Sequence, residues 1–529
     1  MNRHKYLLLL IIVLSGSGCT KHFDGYNTNP NQATNNDLNN DFVGLGVFIP
    51  QMEENVVVAD PQAGVAPYQT IENLNADIFS GYNGTPTAFN SGSSNSQYNI
   101  NGSWSNKAFE NPYNNIMSAW LQVRTRAAGH PDFYALANII KVAGMHRVTD
   151  IFGPLPYSQY GVGGFEVGYD SQQTIYTAFF SELDSAIATL TNYVMQNPGA
   201  TPAQIYDLVY QGNYIEWIKF ANSLKLRLAM HLVYADPALA QSEAEAAVNN
   251  SYGVMTANTD NAFLNSSATI VVYNPLYTID VGFGDIRMGA VLQSFLTGYN
   301  DPRTTSYMLP ASGFSSPYIG VRTGIDLSQG NYRLMSGINF QINSPIQWMT
   351  AAEVYFLRAE GALRGWNMGG TAQSFYQQGI QTSFTQYSAS GVAAYMANAS
   401  STAAPYTDPY NSNNNIPVGN PNLSTITIQW DNTAGFETNL ERIITQKYIA
   451  MFPNGQEAWT EFRRTRYPKI WPVVENLSNG AINTQIQIRR LPYPPDEYNN
   501  NNKFVTQAVS GLLGGPDNGG TKLWWDQKP

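Results

Sequence analysis

Met349-Thr350-Ala351-Ala352-Glu353-Val354-Tyr355-Phe356-Leu357-Arg358-Ala359-Glu360, running on to Leu363, is the stretch on which the fold turns. Ala352, Tyr355, Phe356, Ala359 and Leu363 recur at three- and four-residue spacings, the period of an α-helix. Val354 and Leu357 are apolar on the opposite side, so this helix is expected to be buried on two faces. Working outward, Ile175, Phe179, Leu183, Ile187, Leu190 and Val194 form a similar stripe, with Asp170 or Ser171 placed to cap its start. Trp217, Ala221, Leu224, Leu228 and Leu232 form another, and Leu440, Ile443, Ile444, Tyr448 and Met451 a fourth. Weaker stripes lie near 115–128, 132–148, 286–297 and 372–384. Helices with large and small apolar faces suggest stacked pairs of the tetratricopeptide kind, although no clean 34-residue repeat aligns. Strand signals are few: Ala268–Tyr273, Ile426–Ile428 and Ile486–Ile488.

Between the helices run loops far longer than the usual connection of about 4–6 residues. Phe79–Trp104 is rich in Gly, Asn and Ser and carries Tyr82, Phe89, Tyr98 and Trp104. A second loop runs from Tyr273 through Tyr277, Phe283, Phe314 and Tyr318 to Tyr332, and a third, from Tyr395 to Asn420, holds Tyr406 and Tyr410. Long loops in compact proteins are either functional or disordered, and this aromatic content favours function.

Composition narrows the function. Charged residues make up 12% of the 529 residues, against roughly 25% in typical soluble domains. Amide, hydroxyl, glycine and tyrosine side chains replace them, a surface suited to neutral polar ligands. The net charge of −10, with no long basic run, argues against a nucleic-acid partner. No H-E-x-x-H, Walker loop, G-x-S-x-G elbow or Cys/His metal spacing is present, and five histidines with one cysteine leave little material for a metal site. No cofactor is expected. The Asp/Asn-rich loops offer oxygen ligands for a structural Ca²⁺, but no EF-hand spacing supports one. Glu53, Glu54 and Asp77 are available as carboxylates, with solvated surface as their default reading.

The N-terminus has the order of an export signal: basic Arg3, His4 and Lys5, the apolar run Tyr6–Leu14, then small residues up to Cys19. The apolar run is too short to span a membrane, which takes about 20 residues. Cys19, the only cysteine, is the expected lipid anchor, preceded by a signal peptide over 1–18. Gly16 replaces the usual Leu three residues before it, so an ordinary cleaved signal with an incidental cysteine remains the alternative. Residues 19–40 read as anchor and tether, and 41–529 as the body.

Several segments resemble the SusD/RagB family, in its SusD-like branch from Bacteroidetes. They are Phe23–Asn31, Asp150-Ile151-Phe152-Gly153-Pro154-Leu155-Pro156-Tyr157, the Met349–Glu360 helix with Tyr376–Ile380, Ile444–Ala450, Glu457-Ala458-Trp459, Arg463-Arg464-Thr465 and Arg490-Leu491-Pro492-Tyr493-Pro494. The resemblance spans residue 19 to about residue 500. It implies a mainly α single domain: a tetratricopeptide-like helical-pair scaffold with a long-loop ligand-binding face and minor β. It also implies a lipoprotein of the outer membrane, facing the exterior as a lid over a SusC-like TonB-dependent barrel to which it delivers a glycan. A peptide ligand, a secreted hydrolase and an adhesive surface protein are the alternatives.

The family motifs themselves are expected to pack helices. Glu353, Arg358, Lys447, Trp459 and Arg464 lie on periodic helices and read as packing and buried ion pairs, while Pro154, Pro156 and Pro492 read as rigid turns. The ligand site is expected on the loops, where flat aromatic faces and planar amides suit sugar rings and hydroxyls. The candidates are Tyr82, Asn83, Phe89 and Trp104 in the first loop, faced by Tyr277, Phe314, Tyr318 and Arg322 from the second. Catalytic residues are not expected.

Overall fold

Several of the longer helices of the computed structural model start where a side chain caps a free N–H. The model describes residues 42–89, 94–164 and 166–528; the signal, Cys19 and the tether lie outside the described residues. In chain order the α-helices of nine or more residues are α1 (Gly102–Pro112), α2 (Ser118–Arg126), α3 (Pro131–Phe152), α4 (Gln172–Gln196), α5 (Tyr214–His231) and α6 (Pro237–Val248). They are followed by α7 (Ala290–Gly298), α8 (Ala351–Leu363), α9 (Ala372–Gln386), α10 (Phe436–Met451), α11 (Gly455–Thr465) and α12 (Asn502–Gly511). Ser171 Oγ accepts from Thr174 N–H to open α4, Asn213 and Asp236 open α5 and α6, and Thr350 opens α8. Asp170, the other cap considered for α4, instead accepts from Ser158 N at 2.6 Å.

Packing follows the apolar stripes. α3 lies on α4, α5 on α6 and α8 on α9, and the pairs stack through α4–α5, α5–α8 and α8–α10 contacts. This is the helical-pair scaffold expected, and the fold is mainly α. α8 is buried on both faces, through Ala352, Phe356 and Ala359 on one and Val354 and Leu357 on the other. It packs tightly on α9 at Gly379, where a Cβ would come within 2.8 Å of the Phe356 ring. Contacts gather Leu45–Pro529 into one compact unit. No helix among the described residues is long and apolar enough to cross a membrane.

The three expected strands do not form. Ile426–Ile428 is extended and largely buried, but helix side chains take its carbonyls: Tyr299 OH donates to Ile426 O, Tyr376 OH to Ile428 O and Arg442 Nε to Thr427 O. Trp459 Nε1 likewise donates to Ile488 O, and Ser266 and Ser267 satisfy Val272 N and Ile270 N. Apolar alternation there marks a chain pressed onto helices. The strands that do form lie elsewhere: β1 (Asn83–Gly84) pairs antiparallel with β3 (Arg287–Met288), and β2 (Ala262–Leu264) with β4 (Ile346–Met349).

Candidate functional site

At the centre of the scaffold lies a ring of buried charges. Arg227 of α5 reaches both carboxylate oxygens of Glu353 on α8 at 2.8 Å, and His231 Nε2 lies 3.0 Å from Glu457 on α11. Lys447 of α10 sits 3.3 Å from Glu461, and Arg464 grips Glu360 through two 2.7 Å bonds. Burial alone would raise the carboxyl pKa values. The Arg464 and Arg364 charges hold Glu360 well below the carboxylate range, and His231 and Arg227 do the same for Glu457. His231, Glu457 and Glu461 bring their ligand atoms within 4.8 Å of one another, as a metal site would. Their charge is already answered by Arg227, Lys447 and Arg464, so the cluster is an ion-pair core. Trp459 is 1% exposed, and Arg358 lies over the Phe375 ring at 4.0 Å. The motif residues thus cross-link α5, α8, α10 and α11, as their positions on periodic helices imply.

The long loops assemble against one another. The first joins the second through the β1–β3 pairing and through Gly289 N, which donates to Tyr82 O at 2.7 Å. Glycine is required at 84, where a Cβ would lie 2.4 Å from Val321 O. Arg333 Nη2 donates to Thr87 Oγ1 at 2.9 Å and Gln97 Nε2 to Glu475 at 2.6 Å. The second and third loops share a small apolar core of Val321, Ile325, Tyr332 and Met335, with Phe314 and Tyr410 packed on it. Tyr410 stands edge-on to Phe314 at 6.0 Å and to Tyr332 at 5.1 Å, and Tyr332 OH donates to Asp408.

Within this assembly the candidate residues divide. Tyr82 is 0% exposed: its ring packs on Tyr448 at 4.5 Å and Phe452 at 5.3 Å, and its OH donates to Tyr448 O. Asn83, 2% exposed, accepts from Asn73 Nδ2 inside the same layer. Neither presents a face to a soluble ligand. Arg322 is 9% exposed and ties the loops together, donating to Asn414 O at 2.8 Å and Pro472 O at 3.1 Å. Phe89 and Trp104 remain half-buried and meet edge-to-face at 5.7 Å. Phe314, Tyr318 and Tyr277 are also half-buried. Of these Phe314 joins the Tyr410 cluster, while Tyr277 and Tyr318 make no ring contact with the other candidates among the described residues. Tyr332 and Tyr410, passed over as individual candidates, are what Phe314 packs on. The signal that could have found them is Gly330, whose missing Cβ leaves room for the Tyr410 ring.

Glu53 and Asp77 are not solvated surface: both are buried. Leu208 N donates to Glu53 at 2.8 Å. Tyr68 OH and Asn73 Nδ2 donate to one oxygen of Asp77, whose pKa is pushed up to about 8, first by burial and then by the Glu72 charge.

The helical-pair scaffold and its loops can be compared with known proteins along the whole body. The family described as "SusD-like: Susd and RagB outer membrane lipoprotein" matches residues 25–526. The chain belongs to the SusD-like family. Among solved structures it is similar to a chitin-binding SusD homologue from Flavobacterium johnsoniae, with 45% identity over 92% of this chain and 99% of that one and a TM-score of 0.87. A SusD homologue from Bacteroides uniformis is 39% identical over 92% and 99% of the two chains, with a TM-score of 0.83. One from Bacteroides thetaiotaomicron is 36% identical over the same shares, also at 0.83. No curated protein matches the chain.

Proposed function

We propose that this SusD-like protein is a surface lipoprotein, anchored at Cys19, that binds a chitin-type oligosaccharide on its loop face. It passes the sugar to a SusC-like TonB-dependent barrel and performs no catalysis. The observation that carries the ligand class is the chitin-binding homologue, 45% identical and matching nearly end to end. The loop face is compatible in its chemistry. An N-acetylated sugar offers an apolar ring face and methyl group to flat aromatics and a neutral amide to planar hydrogen-bond groups. Phe89 and Trp104 supply one pair of partly open rings, and Phe314 with Tyr410 another.

Calorimetry on a form starting at Thr20 tests this against chitin oligosaccharides, other neutral and acidic polysaccharides, and casein peptides. Binding of the chitin series alone, weakened about 5- to 10-fold by Trp104→Ala or Phe314→Ala without loss of fold, is the expected result. That range corresponds to about 1–1.4 kcal/mol for one aromatic contact. Binding of peptides alone would keep the family and overturn the ligand.

A further inference from the structure

A cavity of about 410 Å³ lies where the C-terminal end of α11 meets the C-terminal segment. Its wall carries Arg466, Lys469, Lys522 and Lys528 and, among the described residues, no carboxylate. In a chain of net charge −10 with only 28 Lys and Arg, four cations around one concavity run against the overall balance.

Neutralisation of these charges is incomplete. Among the described residues Asp526 is the only carboxylate paired with Arg466, at 2.9 Å, and the same group serves the buried Arg489 at 2.7 Å. Lys528 pairs with Glu437 at 2.6 Å. Lys469 donates only to a neutral acceptor, Pro421 O at 3.1 Å, and Lys522 has no hydrogen bond or ion pair among the described residues. Five cations thus share two carboxylates. Burial pushes the Arg489 pKa down to about 10, opposed by Asp526 and assisted to a smaller degree by the Arg466 charge. Arg466 itself closes α11 in the left-handed region at φ 69°, a position that favours glycine. A long cationic side chain is kept there at some backbone cost.

The remaining lining suits a sugar. Phe462, Ile470 and Ile486 make an apolar floor, with Ile486 49% exposed, and the Asn422 and Gln485 side chains add planar amides at the edge. Low-dielectric walls focus the field of like charges into such a concavity.

We infer that this cavity is a second ligand site, separate from the loop face, which takes an acidic saccharide unit: a carboxylate or sulfate carried on a sugar-sized body. Lys469 and Lys522 meet the anionic group, Arg466 and Lys528 set the field, and the apolar floor takes the ring. The site does not depend on the ligand proposed for the loops.

Calorimetry in detergent-free buffer on the form starting at Thr20, which keeps the whole compact unit, tests it with trigalacturonate, inorganic sulfate, neutral chitotriose and anionic phospholipid vesicles as probes. Trigalacturonate is expected to bind, with affinity falling as salt rises. The Lys469→Ala/Lys522→Ala pair is expected to weaken it about tenfold or more, because each lost contact is a hydrogen bond to a charged group. Chitotriose binding stays unchanged in that variant. Lys522→Glu, at an exposed position, supplies the same test if the double variant melts early. Silence with trigalacturonate overturns the inference, as does binding that neither variant weakens. Sulfate binding without trigalacturonate binding removes the saccharide, and binding of vesicles alone assigns the charge to a membrane surface instead.

Discussion

Asp77 and Tyr82 set the character of the layer beneath the loops. With a folded pKa of about 8 against an ordinary 3.8, Asp77 keeps its proton in the folded state and gives it up when unfolded. The folded state therefore binds more protons than the unfolded one between about pH 4 and pH 8. Asp77's contribution is fully present below the lower value and is lost as pH rises through the upper one. Asp77→Asn keeps the acceptor used by Tyr68 and Asn73 and removes the titration. Denaturant unfolding should show wild type losing stability relative to Asp77→Asn by on the order of 1.4 kcal/mol per pH unit across that window. A constant difference from pH 5 to pH 8 would refute the neutral acid. Tyr82→Ala, which opens a cavity against Tyr448 and Phe452, should cost about 3–5 kcal/mol of stability. Loop composition showed that aromatics were concentrated here but not which way each one points. Tyr82 and Trp104 share a loop and look alike in sequence; one is core and the other half-open, because the β1–β3 pairing carries Tyr82 inward.

Among the elements, the helices were legible and the strands were not, for a physical reason. A helix that buries a stripe repeats its apolar residues over several turns, so α4, α5, α8 and α10 announce themselves. α6 was missed because its buried stripe is alanine, Ala240, Ala244 and Ala247, too weakly apolar to stand out from polar neighbours. The strands here are two to four residues long, below what alternation can signal. Motif charges such as Glu353 and Arg464 were legible as ion pairs only through their place on periodic helices, and Glu360 was read only as part of a motif. Their partners come from separate elements, which no spacing reveals. Glu360→Gln leaves Arg464 buried with Glu461 as its remaining carboxylate, and uncouples α8 from α11. The expected cost is about 3–5 kcal/mol by chemical denaturation, whereas exchanging both partners for apolar residues of similar size should cost far less. Equal losses in the two variants would mean that helix packing, and not charge pairing, holds the elements together.

At the scale of the whole molecule, the irregular C-terminal segment closes the scaffold. It runs back over the end of α3, where Arg490 donates to Phe152 O at 2.9 Å and Leu491 N to Ile151 O at 3.0 Å. A positive side chain and a backbone N–H thus meet the free carbonyls at a helix C-terminus, where the dipole favours the cation. Trp525, fully buried, donates to Asp150 at 2.8 Å, and Asp150 also accepts from Tyr176 OH at 2.6 Å. One side chain near the C-terminus therefore completes a polar cluster shared by α3, α4 and α5. Removing residues 522–529 would expose the Trp525 site, leave Asp150 one donor short, and strip Asp526 from both Arg466 and Arg489. Burying a Trp of roughly 200 Å² accounts for about 5 kcal/mol on its own. A chain ending at Thr521 should therefore unfold at markedly lower denaturant, with one transition seen by both far-ultraviolet dichroism and tryptophan fluorescence, because the cluster it opens joins three helices. Trp525→Phe keeps most of the apolar area and removes only the hydrogen bond, at an expected cost of about 1–3 kcal/mol. If the truncated chain melted like wild type, the segment would be a passive strap, and the scaffold would close through its helix pairs alone.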